Sequence, residues 1–178
     1  MHIIGLDVSS TMIGIAVLGS NNELVESKSV KLKSSMTLEQ RAAIFESEIR
    51  KLDKKYVPMC VYVEAPALIF RGGSSAHVMS KLQRFNGMCS YVCYKVFKEE
   101  VILVTANKAR KVLGIKIPRQ KGAAKKVVVE WVKNKYEDDF QYSLTYRGNP
   151  VPGTDDRADA VIVALAGEAL LTEQENNS

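Results

Sequence analysis

The chain is poor in the residues that most often carry nucleophilic or soft-metal chemistry. Its 178 residues include three cysteines and two histidines, His2 and His77. No pair among Cys60, Cys89 and Cys93 has the C-x2-C spacing of a zinc site, and the odd count argues against a disulfide framework. Cys89 and Cys93 fall four apart in an apolar helical pattern, which suits small core residues in a reducing compartment. The G-x-S-x-G elbow and the G-x-x-x-x-G-K-[ST] phosphate loop are both missing. Ser-His-Asp, Cys-His and P-loop chemistries therefore gather no support. No apolar run approaches 18 residues, and Met1-His2-Ile3-Ile4-Gly5 has no basic region or cleavage site. The expectation is a cytoplasmic protein without a membrane partner, a nuclear or organellar place staying open.

What is present is ordinary in amount and uneven in placement. The apolar fraction is 46% and the charged fraction 25%. A chain of this length can bury roughly 70% of its unfolded surface and needs no staple to hold a core. The formal net charge is +5. Between Val101 and Val129, however, eight basic residues stand without one acid: Lys108, Arg110, Lys111, Lys116, Arg119, Lys121, Lys125 and Lys126. The remainder of the chain is mildly acidic. A basic flank on an acidic body points to a polyanion, most simply nucleic acid.

Hydrophobic patterning predicts one domain over residues 1–171 and a polar tail over 172–178. Ile3–Val8, Met12–Leu18 and the stretch holding Leu24, Val25, Val30 and Leu32 read as three strands joined by short turns, an antiparallel meander. Gly14 sits inside the second, where a strand glycine admits close backbone approach. Thr37 and Gln40 form a capping box before the stripe Leu38, Ala42, Phe45, Ile49 and Leu52. A buried strand follows at Met59–Glu64. A long helix over about Ser75–Phe97 carries Val78, Leu82, Phe85, Cys89, Val92 and Val96 on one face. Val101–Val104 is a fifth strand, and Thr105 caps a short helix. Further helices cover Ala123–Tyr136 and Asp155–Leu171, the last apolar on nearly every side and hence buried. Glu137–Gly153 is the least readable stretch, and its Tyr146–Gly153 portion reads as loop. The order βββαβαβααα implies an α/β fold with a mixed five-stranded sheet, three antiparallel strands first and then two parallel, flanked by helices.

Four acids stand out by context. Asp7 and Glu64 end buried strands, and Asp156 and Asp159 lie on the last helix. Residues three apart on a helix are within about 60° of one another, so both aspartates can face one point. Two like charges about 4 Å apart repel by roughly 4 kcal/mol at an effective dielectric near 20. Either protons or cations must neutralise them. The patterns put no basic residue beside Asp7, Glu64 or Asp159, and Arg157 faces elsewhere on its helix. Oxygen donors without histidine select Mg²⁺ or Mn²⁺. Two such ions per site clamp the attacking and leaving oxygens of a phosphoryl displacement.

At these positions the sequence resembles the RuvC family of Holliday-junction resolvases, within the RNase H-like superfamily. Ile4-Gly5-Leu6-Asp7-Val8-Ser9-Ser10 is similar to the family's first-strand I-G-[IL]-D-P-G-[ST] motif. Val61-Tyr62-Val63-Glu64 is similar to its glutamate strand, and Asp156-Arg157-Ala158-Asp159-Ala160 to its D-A-A-D-A helix start. The resemblance implies an RNase H-like fold and a junction endonuclease making symmetric paired nicks. It implies Asp7, Glu64, Asp156 and Asp159 as metal-binding catalytic acids and Lys121 as the basic residue at the scissile phosphate. Lys108, Arg110, Lys111 and Arg119 would flank the DNA path. Phe70 would serve as the wedge that opens the junction, with Arg71 beside it on the DNA. It further implies a homodimer through the 75–97 helix, with Met79, Leu82, Phe85 and Met88 at the interface. Val8-Ser9 departs from the family's Pro-Gly, the loop after Glu64 is longer, and Glu137–Gly153 is longer than a compact member needs.

Rival readings remain at this point. The opening of a YqgF-type RNase H-like nuclease is close to Gly5–Ala16, which leaves other DNA or RNA structures as substrates. A sugar-kinase or actin-type ATPase shares the first hairpin but needs two such domains. A non-catalytic branched-DNA binding module would have no use for four clustered acids.

Overall fold

The structure, a computed structural model, describes residues 2–66, 76–120 and 122–176. Five strands form one sheet: β1 (His2–Val8), β2 (Met12–Leu18), β3 (Leu24–Lys31), β4 (Pro58–Glu64) and β5 (Val101–Val104). Their spatial order is β3-β2-β1-β4-β5. β1, β2 and β3 pair antiparallel, and β4 and β5 pair parallel to β1 and to each other. This is the sheet the patterning predicts. Five helices cover it: α1 (Leu38–Lys55), α2 (Ala76–Phe97), α3 (Ala106–Val112), α4 (Ala123–Tyr136) and α5 (Thr154–Asn176).

Strand alternation divides the core into two layers. Ile4, Leu6 and Val8 of β1, Ile13, Ile15 and Val17 of β2, and Val61 and Val63 of β4 pack against α1 and α2. There they meet Phe45, Ile49 and Leu52 from α1 and Phe85, Cys89 and Cys93 from α2. The intervening residues, Ile3, Ala16, Leu18 and Tyr62, face α5, with α3 and α4 outside it. The capping box at Thr37 is formed as predicted, with the Gln40 amide N–H donating to Thr37 Oγ1 (3.2 Å) and the Thr37 N–H donating to Gln40 Oε1 (2.9 Å).

α5 lies almost directly on the sheet, and two glycines make that possible. A Cβ at Gly14 would overlap the Asp156 carbonyl, and one at Gly5 would overlap the Ala160 carbonyl. Ala158, Ala160, Ala164 and Ala166 supply the small complementary surface. The close approach read from Gly14 is therefore a helix seated on the strand, and it fixes the height of Asp156 and Asp159 above β1 and β2.

Some expectations are corrected. α5 continues to Asn176, through residues read from their polarity as tail. Phe85, expected at an interface, is fully buried in the chain's own core, and Val78, read as part of the same stripe, is 53% exposed; the buried residues of α2 fall between Phe85 and Phe97. Glu137–Gly153, unreadable from its pattern, holds a 3-10 turn at Glu137–Asp139, fully buried Phe140, and a hairpin bridged at Leu144 and Pro150. No helix among the described residues is long and apolar enough to cross a membrane.

Candidate active site

The same alternation that builds the core brings the acids together. Along β1, Ile3, Gly5 and Asp7 share the face toward α5, and along β4 Tyr62 and Glu64 do the same. β1 and β4 run parallel with Leu6 opposite Val63, so both carboxylates emerge at the same C-terminal edge. α5 crosses above them, and Asp159 comes down from it. One carboxylate oxygen from each of Asp7, Glu64 and Asp159 lies within 4.8 Å of the other two. Asp156, one helical turn earlier, stands beside this triad; its charge acts on all three.

The cluster is electrostatically costly as it stands. Burial, then the charges of Glu64, Asp159 and Asp156, hold the Asp7 carboxyl well above its ordinary value. Burial and then Asp159 push Glu64 up to about 7. Asp159 is pushed up to about 6, chiefly by burial, with Arg110 opposing. Burial, then Asp155, raises Asp156. Asp159 Oδ1 is buried and accepts no hydrogen bond. An all-oxygen, desolvated donor set with an orphaned oxygen and mutually repelling carboxyls fits a hard divalent cation. His2 lies tilted against the Tyr56 ring (centroids 4.8 Å apart), and His77 is exposed; neither joins the group.

The sequence places Arg110 only among the residues flanking the DNA path, and the structure brings it to the acids themselves. Arg110, in the last turn of α3, turns inward, its Nη2 at 3.7 Å from Asp159 Oδ1. That distance is an ion pair without a hydrogen bond. Its Nε is buried and also without a partner. Lys125 of α4, absent from the predicted set, pairs with Asp155 at the edge of the cluster. Burial works to raise Asp155, and the hydrogen bond and charge of Lys125 outweigh it. Lys108, Lys111 and Arg119 are exposed. Lys121, Phe70 and Arg71 lie outside the described residues.

Two buried polar side chains position the site and were missed in the sequence. Asn86 of α2, 3% exposed, donates from Nδ2 to the Glu64 carbonyl oxygen (3.0 Å) and pins the end of β4. Arg41 of α1, 1% exposed, donates from Nη1 to Ser10 O (2.6 Å) and from Nη2 to Ser34 O (2.8 Å). It thereby fixes the turn that follows Asp7. Arg157, as expected, faces away, donating to Ser27 Oγ (3.0 Å) and the Gln141 carbonyl (3.1 Å).

No family model and no curated protein sequence matches the chain. Solved structures do. RuvC from Thermus thermophilus in complex with a Holliday-junction substrate matches with a TM-score of 0.70 at 15% identity, covering 97% of this chain and 96% of that one. RuvC from the same organism in a further structure gives 0.68 at 16% identity over 98% and 97%. The yeast mitochondrial Holliday-junction resolvase gives 0.62 at 10% identity over 97% and 80%. At such identities the likeness is one of fold. Over nearly its whole length, the chain carries the RuvC-type, RNase H-like fold that its first strand, glutamate strand and last helix resemble in sequence.

Proposed function

We propose that the chain is a metal-dependent, structure-selective DNA endonuclease that resolves four-way junctions as a homodimer by symmetric paired nicks. The observation that carries this reading is the triad of Asp7, Glu64 and Asp159 at the C-terminal edge of two parallel strands, in a RuvC-type fold beside a basic flank.

Asp7, Glu64 and Asp159, with Asp156 beside them, would hold two Mg²⁺ or Mn²⁺ ions. Those ions would supply Lewis-acid stabilisation to the attacking and leaving oxygens of an in-line displacement. In that reaction water attacks phosphorus, the P–O3′ bond breaks, and the ends left are a 3′-hydroxyl and a 5′-phosphate. Asn86 and Arg41 keep the strand ends in register for it. Arg110, whose guanidinium has unused donors, binds a non-bridging oxygen of the scissile phosphate. Lys108, Lys111, Arg119 and Lys121 hold flanking phosphates, Lys121 nearest the reacting one, and Phe70 with Arg71 contacts the branch point. The second copy docks on the open side of α2, where Met79, Leu82 and Met88 are half-buried and Tyr91 and Tyr94 exposed. Two opposed sites in such a dimer suit two-fold related strands.

The test is cleavage of labelled four-way junction, linear duplex, flap and RNA–DNA hybrid with Mg²⁺ or Mn²⁺. Paired nicks on the junction alone support the reading. Equal cutting of the hybrid would move the chain to a broader RNase H-like nuclease. Tight junction binding with no metal-dependent cut would leave a binding module.

A further inference from the structure

Between α4 and the hairpin that precedes α5 lies a cavity of about 520 Å³. The segment that walls it is held firmly. Fully buried Phe140 lies under the Arg157 guanidinium, 4.8 Å from ring centroid to Cζ. The hairpin then closes on itself: the Val151 N–H donates to Ser143 O (3.0 Å), the Thr145 N–H to Asn149 O (2.7 Å), and the Gly148 N–H to Thr145 O (2.9 Å). Gly148 takes a left-handed backbone (φ 74°), which the tight turn requires. A folded wall of this kind keeps the cavity open without a ligand.

We propose that this cavity receives one unstacked nucleobase of the DNA strand that passes the carboxylate cluster. The inference rests on the nuclease reading and gives that site a base-reading neighbour. Position is the first argument. Asp155, in the cavity wall, directly precedes Asp156 and stands one helical turn before Asp159. A strand with its phosphate at the triad therefore runs past the cavity mouth.

Chemistry is the second. Val129, Tyr142, Leu144 and Pro150 offer apolar surface for the faces of a ring, and Asn149 and Glu130 offer an amide and a carboxylate for its edge. The size falls within the roughly 300–1,000 Å³ of small-ligand pockets. Charge decides against a free anion. Lys125 is taken by Asp155, and Lys126 stands 3.8 Å from Glu130, so the lining is balanced. A neutral, flat, edge-polar group fits. The hairpin tip adds a third observation: Tyr146 is 90% exposed, with the Arg147 guanidinium 5.1 Å from its ring centroid. A solvent-exposed aromatic stacked with a guanidinium is the platform on which unpaired bases rest. Bases at a branch point are also easier to unstack than those in continuous duplex.

The experiment scans 2-aminopurine through a four-way junction, bound by the full chain with Ca²⁺ in place of Mg²⁺. At one position near the branch point the fluorescence rises at least about threefold on binding, as the probe leaves the stack. Leu144→Trp, which fills the cavity from a 58% exposed position, returns the signal to that of free DNA in a junction saturated with the variant, saturation being read by anisotropy. Asn149→Ala, a truncation on the exposed hairpin, lowers the rise as well, so the outcome does not hang on one variant. No brightening at any position, or brightening indifferent to both variants, overturns the pocket. The readout is binding, so brightening without metal-dependent cutting removes the nuclease reading alone. Cutting without brightening removes the pocket alone.

Discussion

On the α1–α2 side of the sheet, β1, β2 and β4 present Ile4, Leu6, Val8, Ile13, Ile15, Val17, Val61 and Val63, all buried. On the α5 side, the same β1 and β4 present Asp7 and Glu64 at their ends, and the helix that covers them contributes a third carboxylate. One-residue alternation thus gives a single strand two duties. The first face stabilises the fold through apolar burial. The second holds groups whose burial raises their pKa values and costs stability, a cost that a bound cation would lift. The contrast teaches where substitutions should act on activity and where on folding.

The largest expected effect is on the second face. Asp7→Asn or Asp159→Asn should lower metal-dependent junction cleavage by at least about 10³-fold, equivalent to ~4 kcal/mol, with a folded chain by circular dichroism. On the first face, Phe45→Ala should cost about 3–5 kcal/mol in denaturant unfolding, with cleavage per folded molecule unchanged. Arg41→Ala removes two charge-assisted hydrogen bonds to backbone carbonyls and should cost about 3 kcal/mol in the same assay.

A pH test then sharpens the contrast. Carboxyls raised in the folded chain bind protons more readily there than when unfolded. Their stabilising contribution is complete below about pH 4 and is lost as pH rises through about 6 for Asp159 and about 7 for Glu64. The metal-free protein should therefore melt lower at pH 8 than at pH 5, and millimolar Mg²⁺ should narrow the gap. Glu64→Gln should stabilise the metal-free protein at pH 8 by about 1–3 kcal/mol and at the same time abolish cleavage. The smallest effect belongs to the outer surface of α1. Lys51→Ala breaks an exposed pair with Glu48 and should shift the melting temperature by less than about 2 °C.

Much of this arrangement was legible in the sequence because it is periodic or local. The capping box at Thr37, the α1 stripe and the three acids Asp7, Glu64 and Asp159 are all signalled by near neighbours in the chain. Arg41 was not, because its partners are backbone carbonyls of Ser10 and Ser34, a group every residue owns. Arg110 reads as one more cation in a basic run, and only the packing of α3 against α5 turns it toward Asp159. Asn86 breaks the apolar stripe of α2 for a carbonyl 22 residues away. Residues 141–153 have turn chemistry and no period, so the hairpin and the burial of Phe140 emerge only from tertiary contacts. The polar end of α5 misleads for the opposite reason: composition suggested a tail where helical propagation continues to Asn176.

Everything above turns on whether Asp7, Glu64 and Asp159, on the α5 face of the sheet, bind a divalent cation. Mn²⁺ titration followed by electron paramagnetic resonance tests it without DNA or turnover. Mn²⁺ should bind the wild-type chain saturably, with affinity weakened at least about tenfold by Asp7→Asn and by Asp159→Asn and unchanged by Phe45→Leu. Equal Mn²⁺ affinity in the wild type and both aspartate variants would contradict it.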